Sequence, residues 1–386
     1  MLEKLEYELE FITPAFIGGA NSDEVSELRP ASMVGMLRYW FRVIVGAFVE
    51  STEELFKLES ELFGNQEKAG RVWVRVLNQG ISTERKEYVL NERYERYLFG
   101  IKNGILIKKG SKFKLIVFTP KKYKEFTDYL IRFTLTFGNL GYRARKGFGS
   151  MDFDRKIEEI DIKFIKNLLR NTFDKDKRFE FTRNKEFPNI SNAIFLKKKR
   201  IASNELENLG RIYYTFRRNG RENYKTVEYF TFIKDFLKNQ GIRRIEIKNH
   251  MFGLPIMYTS RSLSCKKKIK GREKTIKAQA QLNWIQQVKN EGKKDNRRPA
   301  PFWISIKREM AYAVLFTSEF LPKDAEIILT AKGEFWEKCK KSNSPLTKTI
   351  NNVNFDYSIY SIVENFLNRA GFTEKLFDFR EVKDAK

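Results

Sequence analysis

The chain has 386 residues, enough for two domains, and its 41% hydrophobic content suffices to build a core in each. It carries 74 Lys+Arg against 49 Asp+Glu, a net charge of +25, so a polyanion is the expected partner and nucleic acid the first candidate. Two cysteines without CxxC spacing and a single histidine, His250, exclude a zinc site of the usual kind, and the apolar run Val43–Val49 is too short to span a bilayer. The opening Met1–Glu6 has neither a cationic lead nor an apolar core. No signal peptide, metal or cofactor is therefore expected, and the expected compartment is the cytoplasm. The competing reading of the charge is a solvated, lysine-rich surface.

Residues 5–11 alternate strictly between apolar and charged side chains, which predicts a half-buried strand closed by Thr13-Pro14. Gly18 and Gly19 open a loop, where they either bring the backbone close to a ligand or simply make a turn. Asp23 and Glu24 follow as a candidate cation pair without further carboxylates nearby to complete a site. Pro30 and Ser32 then start a helix in which Met33, Leu37, Trp40, Phe41, Ile44, Val45 and Phe48 fall at core spacing. Arg38 and Arg42 stand one turn apart on it, with Arg29 just ahead. They suit a phosphate clamp near a helix N-terminus, or else they solvate the outer face.

Arg71–Leu77 alternates again, Lys112–Phe118 reads as a third strand, Tyr123–Phe137 as a helix, and Phe148–Phe153 as a fourth strand. The order β-α-β-β-α-β over residues 1–155 is the ferredoxin-like plan, shared with the RNA-recognition motif, which offers a sheet face to single strands. Between the second helix and the last strand, Gly138, Gly141, Gly147 and Gly149 frame Arg143, Arg145 and Lys146. Glycine admits close backbone approach, and arginine grips two phosphate oxygens at once, so this loop is the leading RNA-binding candidate. Tyr142 and Phe148 flank the cations, placed to stack on bases or to pack.

Beyond residue 156 the pattern is weaker. Lys156–Lys177 is charged and either helical or linking. Ile190–Leu196 is a strand candidate that runs into Lys197-Lys198-Lys199-Arg200. Val227–Leu237 reads as a helix, and Phe302–Lys307, Ala311–Thr317 and Glu326–Ala331 as strands. Tyr357–Arg369 is a closing helix capped by Gly371. The expected fold class is therefore α+β with two ferredoxin-like domains, residues 1–155 and a degenerate one over 156–386. The second would hold a basic insertion near 265–298, with 12 Lys/Arg against 3 Asp/Glu, of the kind that is mobile or ordered only on a partner. Lys266, Lys267, Lys268, Lys270 and Arg272, with Arg297 and Arg298 at the far end, are further candidates for RNA contact or for a solvated loop.

The series Ile12-Thr13-Pro14-Ala15-Phe16-Ile17-Gly18-Gly19-Ala20, then Leu28-Arg29-Pro30-Ala31-Ser32-Met33-Val34-Gly35-Met36-Leu37-Arg38-Tyr39-Trp40-Phe41-Arg42, with Leu62-Phe63-Gly64 behind it, resembles the RAMP superfamily of CRISPR-associated proteins. Within that superfamily the chain is similar to the first subunit of the Cmr (type III-B) RNA-targeting complex. The glycine loop matches the superfamily's own, although it opens Gly138-Asn139-Leu140-Gly141 rather than with closely spaced glycines. Phe252-Gly253-Leu254-Pro255-Ile256, Arg298-Pro299-Ala300-Pro301 and Phe320-Leu321-Pro322 are weaker marks. The resemblance implies two ferredoxin-like domains, a terminal subunit bound at the 3′ end of the guide RNA beside the target RNA, other Cmr subunits as partners, and no catalysis by this chain.

One histidine excludes paired-histidine cleavage of RNA. A metal-independent RAMP endoribonuclease using Lys or Tyr stays open as the enzyme alternative, and a general basic RNA chaperone as a third class.

Overall fold

The computed structural model describes residues 1–19, 24–100, 103–174, 176, 178–218, 236–237, 249–254, 256–269, 272–288, 292–295, 297–321, 325–332, 334–339, 347–350 and 360–382. Asp23, Lys270 and most of the expected helix Val227–Leu237 lie outside them. The chain begins β1 (Leu2–Phe11), α1 (Pro30–Val45), α2 (Thr52–Phe63), β2 (Trp73–Asn78), β3 (Thr83–Arg85), α3 (Lys86–Val89), α4 (Arg93–Phe99) and β4 (Ile105–Ile107). It continues through β5 (Lys112–Pro120), α5 (Lys124–Phe137), β6 (Met151–Asp152), α6 (Ile162–Thr172), β7 (Ala193–Lys198) and α7 (Glu205–Arg218). Then follow β8 (Ile256–Ile269), β9 (Arg272–Val288), β10 (Gly292–Asp295), β11 (Phe302–Ile306), β12 (Ala311–Phe316), β13 (Glu326–Lys332) and β14 (Thr347–Ile350). Helices Phe335–Cys339 and Tyr360–Arg369 and a last strand, β15 (Glu374–Asp378), complete the described α-helices and strands, and short 3-10 turns such as Ala144–Lys146 lie between them.

Two compact units result. The first joins residues 1–214, 302–318 and 366–386; the second joins 215–301 and 319–365. The first unit is α+β. Its first sheet has the order β2-β5-β1-β6 with every pairing antiparallel. In β1, Leu5, Tyr7, Leu9 and Phe11 are buried while Lys4, Glu6 and Glu8 are exposed, the alternation that a half-buried strand requires. Helix α1 begins with Pro30 at its first position and buries Met33, Met36, Leu37, Trp40, Phe41 and Ile44 against this core. Its second sheet has the order β11-β12-β7-β15, also antiparallel.

Helix α5 is shared by both sheets. Phe133 packs on Trp40 of α1 at 5.7 Å and on Phe195 of β7 at 5.6 Å, and Phe137 meets Tyr312 of β12 at 5.5 Å. A helix apolar on nearly every side belongs between layers rather than on a surface, and α5 buries Phe126, Tyr129, Leu130, Ile131, Phe133, Leu135 and Phe137. Residues 155 and 156 therefore fall between two sheets that share one core. The chemistry of β11 is tied in by a buried amine: Lys307 donates to the carbonyls of Leu135 (2.5 Å) and Met151 (2.7 Å).

The second unit is built on the long hairpin β8–β9, with β10, β13 and β14 in the same sheet. This corrects the expectation of a mobile basic insertion. Ile276, Ala278, Ala280, Leu282 and Trp284 of β9 are buried at alternate positions, so much of the basic run is a regular strand with a core face. A disulfide joins Cys265 of β8 to Cys339, at the end of the helix Phe335–Cys339. Among the described residues no helix is long and apolar enough to cross a membrane.

Candidate nucleic-acid interface

The exposed face of the first sheet is mixed in charge. Along β1 it presents Glu6, Glu8 and Glu10, with Lys4, Lys114 and Lys112 as ion-pair partners; Lys114 to Glu8 is 2.8 Å. These carboxylates are paired with lysines, and the same face carries the exposed Trp73 and Arg75 of β2, the latter 5.7 Å over Phe118 of β5, so cations and aromatic rings are interleaved with acids on this sheet.

The glycine loop is welded to the strand–loop junction after β1. Tyr142 N–H donates to the Phe16 carbonyl at 2.8 Å, Gly149 N–H to the Pro14 carbonyl at 2.9 Å, and Thr13 Oγ1 to the Gly147 carbonyl at 2.7 Å. Gly149 sits at φ +66°, where a Cβ would lie 1.9 Å from the Leu140 carbonyl oxygen; Gly141, at φ +88°, would place one 2.3 Å from the Phe16 carbonyl oxygen. These glycines serve the fold, and ligand approach is not needed to account for them. Asn139, the departure from the resembling family's loop, is the buried hub. Its Nδ2 donates to the carbonyls of Ala144 (2.5 Å) and Ile304 (2.6 Å), and its Oδ1 accepts from Ser150 Oγ and Ser305 Oγ, both at 2.8 Å. Every bonding position of the amide is used, which fixes the loop on β11.

That scaffold sorts the loop cations. Arg143 is the one described non-glycine residue with positive φ (59°); its Nε donates to the Phe99 carbonyl at 2.9 Å and its guanidinium lies 4.9 Å over the Tyr142 ring. Arg145 lies 5.1 Å over Trp303 and 5.5 Å over Tyr39, and donates to the Tyr39 hydroxyl at 3.3 Å. Both are half-buried. Lys146 corrects the expectation. It is 9% exposed, and its ammonium donates to the Tyr213 hydroxyl at 2.9 Å and lies 4.2 Å over that ring, so it faces the core instead of a strand of RNA. Phe148 likewise packs, 5.1 Å from Phe99.

Arg38 and Arg42 share a carboxylate of the neighbouring helix. Glu59 of α2 is 1% exposed; it accepts from Arg38 Nη1 (2.8 Å), Arg42 Nε (2.5 Å) and Arg42 Nη2 (2.8 Å). Arg38 Nη2 also donates to the carbonyls of Phe63 and Gly64, at the C-terminal end of α2. Burial pushes the Glu59 carboxyl up, but the two guanidiniums overcome this and hold it below its ordinary range. The pair ties α1 to α2, while the Arg42 side chain stays half exposed.

Arg29 remains at the surface, donating to the Gly18 carbonyl at 3.1 Å, while Gly19 packs against Glu27. A groove of about 520 Å³ opens beside them, lined by Phe16, Ile17, Gly18, Ser32, Gly35, Met36, Tyr39, Asn139, Leu140, Gly141, Tyr142, Ala144 and Trp303. The sequence reading passed over Gly35 and Trp303. An interior helix glycine is the signal that marks Gly35. For Trp303 no local signal exists, since it reaches Tyr39 (ring centroids 5.2 Å) only through the packing of the second sheet.

In the second unit Lys266, Lys267, Lys268 and Arg272 are exposed near the tip of β8–β9; Lys266 pairs loosely with Glu273 at 3.4 Å. Arg297 is exposed, and Arg298 donates to the Glu319 carbonyl at 2.5 Å. Among the described residues no group of three or more His, Cys, Asp or Glu side chains is placed to hold a metal ion.

A family model of the RAMP superfamily matches residues 8–152. The CRISPR system Cmr subunit Cmr1-2 of Pyrococcus furiosus is 29% identical, over 38% of this chain and 92% of its own. Cmr subunit Cmr1-1 of the same organism is 27% identical, over 40% of this chain and 49% of its own. Among solved structures, apo Cmr1 from Pyrococcus furiosus superposes with a TM-score of 0.48 and 16% identity, covering 91% of this chain and 98% of that one. A type III-B Cmr-beta complex bound to cognate target RNA gives a TM-score of 0.42 and 12% identity, covering 96% and 99%.

Proposed function

From the premise that this chain is a RAMP-superfamily protein related to Cmr subunits, we propose that it is a non-catalytic RNA-binding subunit of a type III-B effector ribonucleoprotein. Its partners in the cytoplasm would be the 3′ region of a guide RNA, a single-stranded target RNA and the other Cmr subunits. The observation that carries this is the loop pair Arg143, laid over Tyr142, and Arg145, laid over Trp303 and Tyr39, beside a groove that no carboxylate lines among the described residues. A guanidinium stacked on a ring has its faces desolvated and its donors in one plane, the geometry that pairs with phosphate oxygens; Arg143 Nε also donates to the Phe99 carbonyl and Arg145 Nη2 to the Tyr39 hydroxyl. The fold agrees. Each sheet, numbered by its own strands in chain order, reads 2-3-1-4, which we take as the ferredoxin-like arrangement occurring twice, the second interrupted by the strands of the other unit.

The test is RNA binding by the purified protein and by Arg143→Ala/Arg145→Ala across a salt series, with EDTA lanes resolved for cleavage. Loss of affinity with a salt slope lower by about 1.4, roughly 0.7 per phosphate contact, is expected. An unchanged slope in the folded double variant refutes the loop as the contact. Specific cutting in EDTA replaces the proposal with the endoribonuclease reading.

A further inference from the structure

The groove beside α1 has features that phosphate contact alone does not explain. We infer that it seats one unpaired nucleotide of the bound strand, the base lying against bare backbone at Gly35 between the ring of Tyr142 and the pair Tyr39–Trp303. The inference rests on the RNA-binding reading and adds a base-holding site to it.

Gly35 carries the argument. It stands inside α1, where glycine is less favourable than alanine by about 1 kcal/mol. Its φ is not positive, and nothing lies within 4 Å of the position a Cβ would take. Gly138, Gly141 and Gly149 each have a neighbour within 2.3 Å of that position, so the fold itself accounts for them. The fold makes no such demand at Gly35; the space in front of it is the groove. Gly18 and Gly141 open the same groove from two other segments, so backbone is exposed on three sides.

The walls and rim suit a base and its phosphate. Tyr39 and Trp303 lie 5.2 Å apart with planes 40° from parallel, and Tyr142 meets Phe16 edge-on at 6.2 Å. Ile17, Met36 and Leu140 make the lining apolar between them. Trp303 is buried behind Arg145 and backs Tyr39, so Tyr39 and Tyr142 are the half-exposed rings a base can meet, and a ring face accepts any base. Arg29 stands on the Gly18 side and Arg145 over Trp303, both placed for the flanking phosphates. The volume of about 520 Å³ is in the range of roughly 300–1,000 Å³ typical of small-ligand sites, room for base and ribose together. A second groove, of about 570 Å³, is lined by Glu8, Glu10, Asp152, Asp154 and Glu309 with Lys112, Lys156 and Arg308 paired among them, and it lacks the aromatic pair of the first.

The experiment compares a 20-mer oligoadenylate with a 20-mer abasic ribose-phosphate strand of equal charge, against the full chain and its Gly35→Leu and Gly35→Ala variants. The parent should prefer the oligoadenylate by roughly 5- to 100-fold, the range for one stacked base. Gly35→Leu, whose side chain projects into the groove where the base would lie, should erase that preference by weakening the oligoadenylate far more than the abasic strand. Gly35→Ala should lower the preference in part while melting no lower than the parent, which separates loss of the seat from loss of folding. Equal preference in parent and both variants overturns the inference while the RNA-binding reading stands. A parent that binds neither strand overturns that reading itself.

Discussion

Lys307 offers the sharpest test of the first unit's packing. The residue is fully buried at the end of β11, its ammonium bonded to two carbonyls, one on α5 and one on β6. Burial pushes it from its ordinary 10.5 down to about 7, with Asp152 opposing the shift and Lys156 adding to it. The folded value lies below the unfolded one. The neutral amine's contribution to stability is therefore present above pH 10.5 and is lost as pH falls through 7. Over the whole interval of 3.5 units the linkage amounts to about 5 kcal/mol, and between pH 7 and pH 9 to about 2 kcal/mol. Urea midpoints measured from pH 6 to pH 10 should rise with pH more steeply in the parent than in Lys307→Met. Both chains share every other titrating group, including the falling net positive charge, so the difference between the slopes isolates Lys307. Lys307→Gln, which keeps donors for both carbonyls but no charge, should fold at neutral pH and share the shallow slope. Parallel pH profiles in all three proteins would refute the buried-amine account.

Glu59→Ala should cost about 2–4 kcal/mol in denaturant unfolding, because it leaves Arg38 and Arg42 without their carboxylate and unties α1 from α2. Its RNA affinity should match the parent's at every salt concentration; tighter binding would mean that the two released guanidiniums are RNA ligands after all. Glu95, 6% exposed in α4, is raised to about 7, mainly by burial, with Glu207 and Glu92 adding to the shift against a backbone hydrogen bond. Its folded value lies above the unfolded one, so its contribution is present below pH 4.5 and lost as pH rises through 7. Glu95→Gln should accordingly stabilise the protein by about 2 kcal/mol more at pH 8 than at pH 5, and equal effects at the two pH values would rule this out.

What the sequence made legible were contacts within one element. The alternation in β1 and the helical stripe Met33–Leu37–Trp40–Ile44 name their own buried faces, because period 2 and period 3.6 are local properties. The basic hairpin carried the same signal, Ile276 to Trp284 at every second residue, and the charge around it drew the reading toward mobility. Charge at the tip and a core at the base belong to one strand. Glu59 was legible in part. It stands among Leu55, Leu58 and Leu62 on an apolar helix face, and a carboxylate buried there needs cations from a neighbouring element. Which element supplies them depends on how α1 meets α2, and no period encodes that.

The loop at residues 138–149 shows why composition alone misassigned one of its cations. Arg143, Arg145 and Lys146 look equivalent as a string of charges, yet the short helical turn Ala144–Lys146 sends neighbouring side chains in different directions. One consequence is that Lys146 meets Tyr213 while Arg145 meets Trp303, and both aromatic partners come from parts of the chain more than 60 residues away. The direction of that turn is set by Asn139, whose bonds to Ala144 and Ile304 join the loop to a strand 165 residues later. The asparagine that separates Gly138 from Gly141 therefore has a physical role. It exchanges backbone freedom for a fixed loop, and a fixed loop holds Arg145 on the rim of the groove and leaves the space before Gly35 open.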